Sequence, residues 1–300
     1  MKKHPILTVL AILAGVIIFL GVLMTAVQEY SGRSTGIPFS NKIGVIPITG
    51  VIRDSGEILN QLVTFKKDRG IKGIILRIDS PGGGVGASQE IYKEVLKTRK
   101  EKKVVVSMGS VAASGGYYIA AAGDKIMANP GTITGSIGVI MEFYQFKELA
   151  EKIGVGLEVI KSGEFKDVGS SYREPTEREK ELLTSFVKNI HEQFINAVST
   201  GRNLSVEKVR EIADGRILSG EMAKDLGLID HLGNFQDAVD LTKSLVGIEG
   251  DANLVFPQKP SIRLWDLFFK EASETMSQFF YKQMTGSIEY RWKGFSKEMS

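Results

Sequence analysis

The chain contains no cysteine. That excludes a thiol nucleophile, a disulfide and any thiolate metal site, and it leaves the compartment open. Histidine is almost as scarce. His4, His191 and His231 are the three, so a mechanism that needs a histidine base has only the last two to draw on. One-sided charge is missing too: 38 Lys and Arg face 35 Asp and Glu, a formal net charge of +3. Lys2 and Lys3 supply two of those charges, and nothing in the remaining balance points to nucleic acid. Internal repeats and low-complexity tracts are absent. With 43% hydrophobic and 24% charged residues in 300, the chain suits one large or two modest globular units.

What is present begins with a long apolar run. MKKH is followed by PILTVLAILAGVIIFLGVLMTAV, residues 5–27, without a charge. About 20 apolar residues cross a bilayer as a helix, whereas a cleaved signal has an apolar core of about 7–15. The run is therefore expected to be an uncleaved membrane anchor over residues 1–28. The lysine pair before it and Glu29 after it place the N-terminus in the cytoplasm and the body of the protein outside. The alternative is a long secretory signal cut near Ala26, with the same orientation of the body. Residues 29–41, EYSGRSTGIPFSN, read as a polar linker.

Beyond the linker, strand and helix patterns alternate. KIGVIPITGVI (42–52), IKGIILRIDS (71–80) and KKVVVSMGS (102–110) are strand-like, with further short strands within 125–140 and another at GVGLEVIKSG (154–163). SGEILNQLVTFKKD (55–68) and SQEIYKEVLKTRK (88–100) have helical apolar spacing. The alternation predicts a parallel sheet with crossover helices. From residue 175 the pattern turns helical. Thr176 and Glu179 form a capping-box pair, and Leu182, Leu183, Phe186, Val187, Ile190, Phe194 and Val198 form one apolar stripe. The reading is one α/β domain over 42–250 with a helical C-terminal part. The aromatic segment 251–300 suits docking on a partner subunit or a membrane surface.

Two glycine-rich stretches carry the chemistry. In DSPGGGVGA (79–87), Gly82, Gly84 and Ala87 fit the dinucleotide fingerprint, but no acid closes the next strand, which ends in Met108 and Gly109, and the P-loop lysine is missing. The same turn can instead aim a backbone N–H at the oxyanion of an acyl-transfer intermediate. In SMGSVAASGGYYIAAAG (107–123), Ser114 sits between alanines and glycines. A serine in such surroundings is approachable by a substrate backbone, and the N–H of Gly115 is a second candidate donor. A serine hydroxyl needs a base. His191 flanks the apolar stripe and His231 lies in a helix-end motif. A lysine base would have to be neutral, below its usual value of ~10.4. Lys166, in SGEFKDVGSSY (162–172), is one candidate that composition alone does not single out. Asp167 follows it directly, and neighbours in extended chain point to opposite sides.

The ordered set DSPGGG (79–84), GSVAASGGYYIA (109–120), GTITGSIGV (131–139), SGEFKD (162–167) and GRILSGEMAKDLGLID (215–230) resembles signal peptide peptidase A in its short bacterial and archaeal form. That family belongs with the Clp protease and crotonase superfamily. The resemblance spans about residues 42–243. It implies a serine protease in which Ser114 is the nucleophile and Lys166 the general base. It further implies that Ser136 hydrogen-bonds the lysine amine and that Gly83 and Gly115 line the oxyanion hole. No metal or other cofactor is implied. Its substrates would be remnant signal peptides and other extended apolar chains near the membrane, and the protein would form a ring or dome of subunits, octameric in the short form. Two other classes stay open: a crotonase-type acyl-CoA enzyme, which shares the fold but has no use for a Ser–Lys pair, and a non-catalytic membrane scaffold.

Overall fold

The computed structural model describes residues 41–257 and the backbone of 288–291. The chain divides into two units, Met1–Ser40 and Asn41–Ser300. In the first, only Gly15 and Phe19 are described, both helical. Apart from these two residues and Asn41, the predicted anchor and linker lie outside the described residues, as does most of the aromatic segment after residue 257.

In chain order the elements are β1 (Lys42–Thr49), α1 (Gly56–Lys67), β2 (Ile71–Ser80), β3 (Gly82–Gly84), α2 (Val85–Thr98), β4 (Lys103–Ala113), α3 (Gly115–Ala120), β5 (Lys125–Ala128), β6 (Ile133–Gly135) and β7 (Ile140–Met141). They continue with α4 (Lys147–Lys152), α5 (Glu177–Arg202), α6 (Val206–Ile212), β8 (Ile217–Ser219), α7 (Gly220–Asp225), β9 (His231–Leu232), α8 (Phe235–Val246), β10 (Asn253–Val255) and β11 (Ile288–Arg291). The main sheet runs β10-β1-β2-β4-β5-β9 with all neighbours parallel, and β6 extends β4 while pairing antiparallel with β8. A second, three-stranded sheet runs β3-β11-β7.

The β-branched runs become the central strands because parallel strands are covered on both faces. In β2, Ile74, Ile75, Leu76 and Ile78 are all fully buried. One face of the sheet packs under α1, α2, α3 and α5, where Leu62, Ile91, Tyr117 and Phe194 meet Ile74, Leu76 and Val106. The other face packs under α8, where Ala238 and Val239 meet Val45, Ile75 and Val105. This is an α/β architecture with a predominantly parallel sheet, as the alternation predicts.

The capping box at Thr176 is present: its hydroxyl accepts the Glu179 amide and the Glu179 carboxylate accepts the Thr176 amide. The stripe on α5 divides in two. Ile190, Phe194 and Val198 are buried, but Leu182 and Phe186 are 42% and 45% exposed.

One expectation is corrected. Residues 154–163 do not form a strand; Gly154 ends a turn and 155–160 have no regular structure. A strand needs a neighbour to take its backbone groups, and no strand among the described residues pairs with this stretch. Val155, Leu157 and Ile160 are left exposed, the last at 94%.

Candidate active site

Ser114 lies at the junction of β4 and α3. Its backbone has φ 53 and ψ −117, a sparsely populated region for a residue with a Cβ, at a cost of order 1–3 kcal/mol. Such a strand-to-helix turn presents the side chain of its apex residue away from both elements. The conformation is held from two sides: the Ser114 amide donates to the Gly135 carbonyl at 2.9 Å, and the Ser114 carbonyl accepts the Tyr118 amide at 2.8 Å. Small neighbours are required here, because a Cβ on Gly116 would stand 2.9 Å from the Ser80 carbonyl oxygen.

Ser136 is brought to the same place by sheet register. β4 and β6 run parallel with Ala113 opposite Gly135, so the next residue of each strand is Ser114 and Ser136. Ser136 is buried, has φ 50, and donates its amide to the Arg216 carbonyl at 2.8 Å. Arg216 leads into β8, which pairs with β6. This gives the GRILSGE motif a physical role that its composition does not disclose: its backbone holds the strand end that carries Ser136.

The three glycines of β3 are distinguished by their hydrogen bonds. The Gly82 amide donates to Ser80 Oγ at 3.1 Å. The Gly84 amide donates to the Ile52 carbonyl at 2.7 Å, and the Ile52 amide to the Gly82 carbonyl at 2.9 Å. Backbone polar groups alternate sides along a strand, so the Gly83 N–H points away from Ile52, toward the opposite edge. Gly115, the first residue of α3, has no intrahelical acceptor for its N–H, and the Ser114 side chain does not cap it. β3 packs against α3, so the Gly83 and Gly115 amides flank the serine.

The edge that Gly83 faces is occupied by the chain itself. β11 lies between β3 and β7 and is antiparallel to both, with Tyr290 opposite Gly83 and Glu289 opposite Ile140. It also adjoins α3. The slot between β3 and β7 is thus filled by an added strand of the chain's own backbone.

Lys166 is placed elsewhere. It sits in the turns between α4 and α5, its side chain is exposed, and its amine makes no hydrogen bond or ion pair among the described residues. The single chain brings together Ser114, Ser136, Gly115 and Gly83, and does not pair Lys166 with either serine. Asp167 turns to other partners: its carboxylate accepts Lys161 Nζ at 2.6 Å and Arg173 Nε at 2.8 Å, which holds it well below the usual carboxylate range. His191 has a buried Nε2 with no hydrogen-bond partner among the described residues, and His231 is exposed on β9; neither makes a hydrogen bond to Ser114.

Comparison with known proteins fits this arrangement. Residues 97–249 match peptidase family S49, and residues 42–133 match the Clp protease family. A Synechocystis protein named as a protease is 43% identical over 227 residues, 74% of this chain and 82% of that protein.

The chain belongs to peptidase family S49.

Within the family, a protein of Enterococcus faecium named as signal peptide peptidase SppA is 40% identical over 218 residues, 68% of this chain and 63% of its own length. Protease 4 of Haemophilus influenzae is 34% identical over 221 residues, 70% of this chain and 36% of that longer protein. The S49 chain described here is therefore an SppA-like serine protease on a Clp protease-like fold, and Ser114 stands in the S49-matched region at the carboxyl edge of the parallel sheet, where ligands bind in open α/β sheets.

Proposed function

We propose that this S49 protease is a membrane-anchored endopeptidase that cleaves remnant signal peptides and other extended apolar peptides on the outer side of the cytoplasmic membrane. Ser114 is its nucleophile and Lys166 its general base. Ser114 Oγ attacks the peptide carbonyl as its proton passes to a neutral lysine amine. The amides of Gly83 and Gly115 hold the oxyanion, and Ser136 orients the amine. Collapse of the intermediate breaks the C–N bond, the lysine proton goes to the leaving amine, and water then hydrolyses the acyl-enzyme with the lysine again as base.

The observation that carries this reading is β11. A strand of the chain lies antiparallel beside the one glycine of β3 whose amide faces outward, next to the helix that begins after Ser114. A peptide bound in that way presents its backbone to the donors and needs no particular side-chain recognition, which suits extended apolar substrates. A crotonase-type enzyme has no need of a slot that pairs with a strand.

The chain also acts as a homo-oligomer in this reading, an octamer by resemblance. Support comes from the segment 140–172, where five large apolar side chains, Tyr144, Leu149, Ile153, Leu157 and Ile160, are exposed at 57–94%, the kind of apolar exposure that marks an interaction surface when contiguous. Lys166 belongs to this segment. A second copy covering it is placed to join the lysine of one chain to the serine of another.

The test is a fluorogenic apolar peptide incubated with the wild type, Ser114→Ala and Lys166→Ala. Cleavage by the wild type and loss of it in both folded variants supports the dyad. An active Lys166→Ala would return the base to His191 or His231, and an active Ser114→Ala would overturn the nucleophile.

A further inference from the structure

Resting on the reading of Lys166 as the base, we propose that Arg173 is a positioning residue for that lysine. With Asp167 and Glu179, it fixes the chain on one side of Lys166 to the first turn of α5, while Arg178 fixes the other side.

The four residues Glu164–Asp167 show the pattern. Asp167 is held by Arg173, whose Nε donates to Oδ2 at 2.8 Å and whose Nη2 lies 2.8 Å from Oδ1. The same Nη2 reaches the Asp167 carbonyl at 3.4 Å. The far side of the guanidinium grips Glu179, with Nη1 at 2.8 Å from Oε2 and Nη2 at 2.5 Å from Oε1. Glu179 is the N3 residue of the α5 capping box, and its side chain is 1% exposed. A planar fork that serves two carboxylates at once is a task for arginine and not for lysine.

On the other side, the Arg178 guanidinium lies over the Phe165 ring at 5.5 Å and donates to the Glu164 carboxylate at 2.7 Å. Lys161 closes the loop on itself by donating to the Glu164 carbonyl at 2.9 Å and to Asp167 at 2.6 Å. Three of the four residues are thus tied down, and the exposed Lys166 has no amine hydrogen bond or ion pair among the described residues.

This arrangement fixes the backbone at a base and leaves its reacting atom free. It also answers a chemical problem. An unneutralised carboxylate one residue from the lysine would attract and hold an ammonium. Asp167 is instead satisfied by two cations, Arg173 and Lys161. Sequence alone does not reveal this, because the fork needs the first turn of α5 in place.

The experiment uses the full chain and an apolar fluorogenic peptide, with kcat, KM, the pH–rate profile and thermal midpoints for Arg173→Ala, Arg173→Lys, Arg178→Ala and Lys166→Ala. Misplacing a catalytic group by about 1 Å costs up to about 100-fold in rate. Arg173→Ala is expected to lower kcat about 10- to 100-fold, with KM little changed and the acid limb of the profile moved to higher pH. Arg173→Lys, able to serve only one carboxylate, is expected to recover part of kcat. Arg178 is 69% exposed, so Arg178→Ala keeps the fold and is expected to lower kcat by a smaller factor, which covers the case in which Arg173→Ala does not fold. Wild-type kcat and pH profile in both Arg178→Ala and an Arg173 variant, with Lys166→Ala dead, would overturn the positioning role while leaving the dyad. An active Lys166→Ala would overturn the dyad itself.

Discussion

Gly83 and Ile52 meet backbone to backbone: a Cβ at residue 83 would lie 2.0 Å from the Ile52 carbonyl oxygen. No side chain at 83 relieves that contact, because both partners are main chain. The Ile52 carbonyl is in turn fixed by the Gly84 amide at 2.7 Å. Gly83 is therefore pinned where its own N–H faces the strand slot.

Gly83→Ala follows directly. The new methyl must push β3 away from Ile52 and displace the outward amide. Loss of one oxyanion donor costs about 100- to 1,000-fold in kcat, and a fall in that range is expected here. Peptide cleavage measured alongside far-UV circular dichroism checks it; a folded variant with wild-type kcat would remove Gly83 from the oxyanion hole.

Behind the nucleophile, Phe194 of α5 is fully buried and packs on Tyr118 of α3 with ring centroids 4.9 Å apart, and Tyr118 packs on Tyr92 at 4.9 Å. This aromatic column ties the long helix to the short one that begins after Ser114. Phe194→Ala is expected to cost about 3–5 kcal/mol of stability. Urea unfolding followed by circular dichroism would show the midpoint fall without a change of slope.

The fold and the site were unequally legible in the sequence. β2 and β4 could be read because fully buried strands need β-branched residues on both faces, and Ile74, Ile75, Val104 and Val105 carry that signal in one short stretch each. Residues 154–163 carry the same signal and form no strand, because strand formation depends on a neighbour that the segment's own residues do not encode. Ser114 stood out by its small neighbours, but its φ of 53 comes from the β4–β6 register and the Gly135 carbonyl, which are tertiary. The choice of Gly83 among three glycines depended on Ile52 for the same reason.

Acid should loosen the lysine-bearing segment. The Arg173 guanidinium and the Thr176 amide bring the Glu179 carboxyl down to about 2, against an ordinary value of ~4.3. Asp167 is depressed as well, by Arg173 and Lys161. A carboxyl with a depressed folded-state pKa contributes stability that is fully present above its unfolded value and is lost as pH falls through the folded one. The contribution of Glu179 is therefore complete above about pH 5 and fades toward about pH 2. Thermal midpoints of the wild type and Glu179→Gln should differ at pH 7 and converge near pH 2. A gap that stays constant with pH would mean that the pairing with Arg173 contributes nothing.

The exposed lysine and the buried serine make a prediction that no single variant can test. Ser114→Ala and Lys166→Ala are each expected to be inactive alone. If copies assemble through the apolar segment 140–172, a site can draw its serine from one chain and its lysine from the next. Mixing the two dead variants in equal amounts then gives about one site in four with both groups intact, by random assortment. Recovery of about a quarter of wild-type activity after denaturing and refolding the two together is expected. Ile160→Asp, at a residue that is 94% exposed, should lower both the recovered activity and the mass measured by light scattering, since a carboxylate buried at an interface without a partner opposes assembly. Activity that stays at zero in the mixture, from chains that do assemble, would mean that Lys166 reaches Ser114 within one chain. The segment 140–172 would then have to move as the enzyme engages its substrate.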